Sequence, residues 1–171
     1  MKKSELIKLI REEIQLLKED NELLKAQDAL KGVMFKIQKD IEPFFKDLKS
    51  KKIINSYKQK IRPLNTGYEI EFNIDTNVYK LEKDEYLKHK DFYNAVTDLH
   101  SIYVHPSSFL QSDLEEGKQA YIEGSLFKLK GSSYFREPVK NKQDIKKAAN
   151  EYYKTIQEQI KSLKRDLKAI K

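Results

Sequence analysis

Residues 30–48 read LKGVMFKIQKDIEPFFKDL, and eight apolar side chains of this stretch fall on one face of a helix. The steps between apolar positions are 3, 1, 3, 4, 3, 1 and 3 residues, at Leu30, Val33, Met34, Ile37, Ile41, Phe44, Phe45 and Leu48. This spacing matches the period of an α-helix, and we interpret the two phenylalanines as core anchors. Because Pro43 lies inside the run, the pattern predicts either a kink or a fresh helix that begins near Asp40.

Upstream, residues 1–32 have the heptad spacing of a coiled coil. With the first isoleucine at position a, the a and d positions carry, in chain order, Ile7, Ile10, Ile14, Leu17, Asn21 and Leu24. Isoleucine at a with leucine at d favours a parallel two-stranded coil, and a single asparagine at a fixes register and strand number. The g and e positions would pair Glu13 with Lys18, and Asp20 with Lys25, between two parallel copies. We therefore predict a homo-oligomer.

Because the helix has a second apolar stripe, the heptad pattern does not determine what it packs against. Leu9, Leu16, Leu23 and Leu30 repeat every seventh residue at position c and widen the apolar face beyond a two-stranded seam. The helix therefore packs either on another part of its own chain or in an assembly of more than two strands.

The C-terminal segment predicts another long helix. From Asn141 to Lys171 there is no glycine or proline, and apolar residues recur every three or four positions. About 28 helical residues span roughly 42 Å, which is more than a small sheet can cover. We expect this helix to pair with the N-terminal helix of its own chain or with the copy in a neighbouring chain.

The middle of the chain predicts short strands and helices. Tyr68–Asp75 alternates apolar and polar residues like a half-buried strand, and residues 78–81 are interpreted as its returning partner across a turn. We expect a helix over residues 83–103 and a short helix over 107–117. Residues 120–130 and 133–139 are predicted to form a second hairpin.

Together these patterns predict a mostly helical α+β fold. Long N- and C-terminal helices of coiled-coil type flank a small antiparallel sheet with helices on one face. The predicted segments are an oligomerising coiled-coil helix (1–32), a basic helical connector (33–62), a small α+β unit (63–139) and a basic C-terminal helix (140–171).

The net charge of +7 is distributed in blocks. Residues 36–62 and 140–171 each carry +6, residues 63–139 carry −5, and residues 1–35 are neutral. Solvated faces of lysine-rich helices explain the basic blocks; attraction to the acidic middle segment and contact with nucleic-acid phosphates are the alternatives.

Candidate nucleic-acid contacts lie in the C-terminal helix at Lys146, Lys147, Tyr152, Tyr153, Lys161, Lys164 and Arg165. The chain has 30 lysines and only 4 arginines, and arginine is the preferred residue for reading bases. We therefore expect any nucleic-acid binding to be non-specific.

Catalytic and metal-binding patterns are missing from the sequence. The chain has no cysteine, which excludes disulfides, thiolate metal sites and a cysteine nucleophile. The spacing of Asp98, His100 and His105 fits no ligand set, and we interpret these histidines as capping or half-buried. Glu69 and Glu71 share a strand face and could carry acid–base chemistry with Asp75 or a helix carboxylate, but the polar outer face of an amphipathic strand explains them equally well. We predict a protein that is not an enzyme, with no cofactor, metal or small-molecule substrate.

Residues 1–14, MKKSELIKLIREEI, resemble the starts of many small helical proteins encoded by tailed bacteriophages. The resemblance implies a virion or assembly component and assigns no functional residue. The sequence has no signal peptide and no apolar run long enough for a membrane helix, so we expect a location in the cytoplasm or in a virion.

The function predicted from the sequence is a non-enzymatic structural or assembly protein that oligomerises and has a protein partner. The alternative is a nucleic-acid-associated or protein-binding regulatory protein, an inhibitor or adaptor, that uses the basic helices.

Overall fold

The computed structural model describes residues 3–106, 120–127, 134–140 and 142–170, and the side chains among them except those of 3–6, 15–26 and 142–143. These residues form α1 (Lys3–Ser50), β1 (Ile54–Pro63), β2 (Tyr68–Thr76), α2 (Lys83–Lys88), α3 (Lys90–Thr97), β3 (Ser101–Pro106), β4 (Ala120–Ser125), β5 (Tyr134–Val139) and α4 (Lys142–Ala169). The predicted α+β class is confirmed, since one antiparallel sheet accompanies a helical content of 58%.

The apolar run over residues 30–48 forms the buried part of α1. The eight apolar side chains that share one helix face, from Leu30 to Leu48, are at most 3% exposed, whereas Phe35 lies on the opposite side of the helix and is 52% exposed. The helix is continuous through Pro43, so no fresh helix begins near Asp40. Pro43 lies on the exposed side of α1, where water can hydrate the carbonyl of Lys39 that the missing N–H leaves unpaired.

The predicted helical connector over residues 33–62 is wrong beyond Ser50. Lys52 has a φ of 59°, a left-handed conformation in which the chain leaves the helix. The amides of Lys52 and Ile53 donate to the carbonyls of Lys49 and Leu48 at 3.0 Å each, which is the Schellman pattern of helix termination. Glycine usually occupies this position, so a lysine there gives no stop signal in the sequence.

Beyond this turn the chain forms β1, the first strand of a five-stranded sheet ordered β1-β2-β3-β4-β5 with every pair antiparallel. The predicted strand at Tyr68–Asp75 is confirmed as β2, and the second predicted hairpin is confirmed as β4 and β5. The turn expected at residues 131–133 and the short helix expected at 107–117 lie outside the described residues.

Two predictions for the middle of the chain are wrong. Residues 78–80 form a 3₁₀ turn instead of a returning strand, because the amide of Val78 donates to the Thr76 hydroxyl at 3.1 Å and that of Lys80 to the Asn77 carbonyl at 2.8 Å. The single helix expected over residues 83–103 is divided at His89 into α2 and α3, and α3 ends at Thr97. Residues 101–106 form β3 instead, because they pair with β2 and thereby gain a ladder of non-local hydrogen bonds.

The two long helices pack side by side and run in the same direction. The amide of Gln157 donates to Asp40 at 2.9 Å, residues 117 positions apart, and the ammonium group of Lys51 donates to the carbonyl of Ile170, residues 119 positions apart. The difference in residue number between contacting residues is almost the same at these two points, so the two helices must be parallel. The C-terminal helix therefore pairs with the N-terminal helix of its own chain, one of the two expected arrangements.

Both long helices pack against the sheet. From α1, Phe45 stacks on Tyr57 with ring centroids 4.8 Å apart and lies 5.5 Å from Phe72. From α4, Tyr152 packs against Phe135 at 5.3 Å and lies over Gly124. A Cβ atom on Gly124 would lie 2.5 Å from the Tyr152 ring, so only glycine leaves room for this side chain.

The Tyr152 hydroxyl is held by two backbone oxygens of the sheet, the carbonyls of Tyr103 at 3.1 Å and Ser125 at 2.9 Å. The replacement Tyr152→Phe should lower the free energy of unfolding by about 1–3 kcal/mol, because buried carbonyl oxygens lose their donor. Urea denaturation measures the change. The matched control is Tyr79→Phe, at a residue that is 71% exposed, and it should shift stability by less than about 0.5 kcal/mol. Equal stability of the two variants would contradict a stabilising role of the Tyr152 hydroxyl.

Candidate functional site

The first part of α1 extends beyond the other long helix. With the offset of 117 residues, Lys142, the first residue of α4, lies level with residue 25 of α1. We call residues 3–24 of α1 the N-terminal extension. At 1.5 Å per residue it projects about 33 Å past the start of α4.

Apolar side chains of the extension are exposed. Every residue from 7 to 14 is exposed, and Ile7, Leu9, Ile10 and Ile14 have exposed fractions of 42–49%. Leu30 occupies the same heptad position as Leu9, three heptads later, yet it is fully buried beside α4 and the sheet. The exposure of these residues therefore reflects where they lie along α1, since the apolar pattern is the same in both halves of the helix.

The two apolar stripes of the extension lie on different sides of the helix. At about 100° per residue, the a and d positions Ile7, Ile10 and Ile14 lie on the opposite side of α1 from the buried run. The c stripe that starts at Leu9 continues the line of the buried face toward Leu30. The predicted oligomer seam is therefore separate from the face that packs within the chain.

The remaining predicted interface residues are placed by the backbone alone. Glu13 is exposed. The side chains of the other six lie outside the described ones: Leu17, Lys18, Asp20, Asn21, Leu24 and Lys25. The helix is continuous through all of them, so each keeps its heptad position.

A second feature lies on the solvent side of the seam between α1 and α4. Two adjoining cavities of about 610 and 390 Å³ share Gln157 and together form an open trough. We call it the lysine groove, after the seven lysines that line it: Lys36, Lys39, Lys146, Lys147, Lys154, Lys161 and Lys164. The groove brings together the two basic segments of the sequence.

The floor of the groove is a hydrogen-bonded cluster of three side chains. The hydroxyl of Tyr153 donates to a carboxylate oxygen of Asp40 at 2.7 Å, and Gln157 donates to the same oxygen at 2.9 Å. Burial, followed by the hydrogen bond to Asp40 and its negative charge, raises the pKa of Tyr153 to about 12. The Lys36 ammonium lies 5.5 Å from the centroid of the Tyr153 ring and covers it.

The candidate nucleic-acid contacts separate into three groups. Lys146, Lys147, Lys161 and Lys164 line the groove, and Tyr153 forms its floor. Tyr152 does not face solvent: it is 0% exposed on the other side of α4, so stacking on a base is excluded.

Arg165 lies outside the groove lining, is exposed, and donates to the hydroxyl of Ser162 at 3.1 Å. Sequence reasoning missed Lys36, Lys39 and Lys154. Lys154 could have been found from its spacing of seven residues to Lys147 and Lys161. The two lysines of α1 become neighbours of these residues only when the helices pack.

The histidines have structural partners. His89 lies 4.0 Å from Glu85 and edge-on to the ring of Tyr93. His105 stacks on Tyr103, with ring centroids 5.6 Å apart. Within the described residues no group of three or more His, Cys, Asp or Glu side chains is placed to hold a metal ion.

The carboxylates of β2 face the cations of β1. Glu71 forms an ion pair with Arg62 at 2.5 Å, and Glu69 lies opposite Arg62 in the strand register. These contacts support the interpretation of both glutamates as part of a polar outer sheet face. Among the described helices, none combines the length and the apolar character needed to cross a bilayer.

No family model, curated protein or solved structure matches this chain. The two surfaces described above, the N-terminal extension and the lysine groove, are therefore interpreted from their own contacts, charges and exposure.

The hydrogen-bonded cluster of Asp40, Tyr153 and Gln157 should contribute to stability in a pH-dependent way. The pKa of Tyr153 is raised from 10 to about 12, so the neutral form of this side chain stabilises the fold at neutral pH. This contribution is lost as the pH rises from 10 to about 12. In Asp40→Asn the Tyr153 pKa should fall part of the way toward 10, since the negative charge that opposes ionisation is removed while the burial of the hydroxyl remains. Spectrophotometric titration of tyrosinate should then show one tyrosine ionising at a lower pH than in the native chain. Asp47→Asn, at an exposed residue of the same helix, should leave the titration curve unchanged.

Proposed function

We propose that the protein is a non-enzymatic structural or assembly protein that forms a homo-oligomer through the N-terminal extension of α1. The observation that carries this proposal is the row of exposed isoleucines at a and d positions: Ile7, Ile10 and Ile14. Full burial of such a side chain contributes about 1.5–3 kcal/mol, which makes a second helix on this face favourable.

A second copy of the same chain is the occupant that fits this face best. Segment 1–35 has no net charge, so two copies do not repel each other there. In a parallel pair, Glu13 would face Lys18 of the copy, and Asp20 would face its Lys25. Each exposed pair contributes about 0.2–1 kcal/mol, less than a buried isoleucine. The apolar seam therefore supplies the affinity, and the charges select the parallel orientation.

The fold suits a protein that is built into an assembly. The extension projects away from the sheet and α4, so a coiled coil of copies would hold several α+β units at one end, each able to present a surface to a protein partner. The resemblance of residues 1–14 to phage-encoded helical proteins agrees with this role, in a virion or in the cytoplasm during assembly. The regulatory alternative, an inhibitor or adaptor, would use the same exposed helices on a different protein.

The first test replaces two seam residues in the full-length chain. Light scattering coupled to size-exclusion chromatography should show an oligomer for the native chain. It should show a monomer for the double variant Ile10→Glu, Ile14→Glu, because two buried charges on each strand repel across the seam. If the native chain is monomeric at about 100 μM, its self-association is weaker than any useful assembly contact, and the proposal is refuted.

The matched control changes the net charge by the same amount, at two b positions that face away from the predicted seam. The double variant Lys8→Gln, Gln15→Glu should stay oligomeric, since neither residue lies in the seam. The single variant Leu9→Glu reports on strand number: a two-stranded coil tolerates a charge at position c, whereas a wider bundle does not.

Asn21 supplies the second test. At a buried a position, an asparagine lowers stability but restricts the number of strands. Asn21→Leu should therefore raise the thermal midpoint of the oligomer and broaden the distribution of oligomer masses. Thermal melts followed by circular dichroism, together with native mass spectrometry, measure the two effects. An unchanged midpoint would place Asn21 outside the seam.

A further inference from the structure

We propose that the lysine groove binds the phosphate backbone of a nucleic-acid strand without reading its base sequence. This activity is independent of the N-terminal extension, because the groove is formed by the C-terminal half of α1 and by α4 within one chain.

The charge density of the groove approaches that of a nucleic-acid strand. Its lysines on α4 run from Lys146 to Lys164, about 27 Å of helix, and two further lysines come from α1. After the two carboxylates of the lining are subtracted, the groove provides one net positive charge per roughly 5 Å, against one phosphate per about 3.4 Å along a strand of duplex. An extended acidic peptide reaches this density only where about two of every three residues are carboxylates.

The two carboxylates in the groove are already engaged. Glu151 pairs with Lys154 at 2.7 Å, and Asp40 accepts hydrogen bonds from Tyr153 and Gln157. Seven lysines against two carboxylates leave a net charge of +5 along the trough. Phosphates would meet a positive field along its whole length.

Charge is partly segregated around α4. At about 100° per residue, Asp144, Glu158 and Asp166 lie on the side of α4 that faces away from α1, whereas Lys146 and Lys164 lie toward it. The other groove lysines of α4, Lys147, Lys154 and Lys161, lie between these two sides. From α1, Lys36 and Lys39 face the same seam. Both helices thus contribute cations to one line, and this arrangement favours the binding of a linear polyanion.

The described lining of the groove has few groups that read bases. Lysine gives a point charge, while base edges are read mainly by the forked donors of arginine or by amides. The lining contains no arginine, and its amide side chains are Asn150 and Gln157. The Lys36 ammonium lies over one face of the Tyr153 ring, and the Tyr153 hydroxyl is bonded to Asp40, so a base cannot stack on that face without displacing Lys36. The amide nitrogen of Gln157 already donates to Asp40 and to the Tyr153 hydroxyl, whereas Asn150 can add a hydrogen bond to a phosphate or sugar oxygen.

The test measures fluorescence anisotropy of a labelled single-stranded DNA of about 20 nucleotides, and of the RNA of the same sequence, with the full-length chain at several salt concentrations. Lys36→Gln, Lys147→Gln, Lys161→Gln removes three groove cations from both helices. Lys49→Gln, Lys88→Gln, Lys90→Gln removes three exposed lysines outside the groove lining and is the matched control. Circular dichroism melts confirm that both variants stay folded.

For single strands, each neutralised phosphate contributes about 0.7 to the slope of log affinity against log salt concentration. The groove variant should therefore lose about two units of slope and bind at least about tenfold more weakly at low salt, while the control keeps the native slope. No binding by the native chain at low salt, or equal loss in both variants, would overturn the proposal. Displacement of the DNA by polyglutamate of equal charge at equal concentration would also overturn it, in favour of an acidic protein partner.

Discussion

The parallel packing of α4 along the C-terminal half of α1 is the contact on which the other features depend. The fully buried face of α1, with Ile37, Ile41 and Phe44, joins the buried face of α4 in one apolar cluster with the inner side of the sheet. Tyr152 fastens this layer to the sheet through two backbone carbonyls over Gly124. Because α4 is 28 residues long and α1 is 48, the parallel register leaves the first part of α1 without α4 beside it.

The same register generates both candidate surfaces. On the solvent side it draws lysines of two distant segments into one groove, whose floor is fixed by the bonds among Asp40, Tyr153 and Gln157. At the other end it leaves apolar a and d positions exposed on a free helix. An apolar seam favours a like helix, whereas a line of ammonium groups favours a polyanion, so the two surfaces suit two different partners. A protein that oligomerises through one and binds nucleic acid through the other would gain avidity for a long strand.

The parts of the fold that could be predicted are those whose signal is local and long. Helical periodicity over residues 30–48 and 141–170, and strict alternation over Tyr68–Asp75, each repeat often enough to identify the element. The missed parts depend on distant partners. β3 is a strand because β2 and β4 pair with it, and β1 follows a turn in which Lys52 adopts the conformation usually taken by glycine. For the groove, the lysines of α4 could be predicted, but their neighbours Lys36 and Lys39 are more than one hundred residues away in sequence.

By itself the sequence determined the α+β class, the two long helices, the heptad register of the extension and the basic character of two segments, because each of these properties is a periodicity or a sum over neighbouring residues. Only the tertiary structure decided the direction in which the helices pair, the burial of Tyr152, the burial of one part of α1 with the exposure of residues 7–14, and the convergence of seven lysines. Those properties follow from which residues come together across long sequence separations, and that outcome is set by the packing of a shared core.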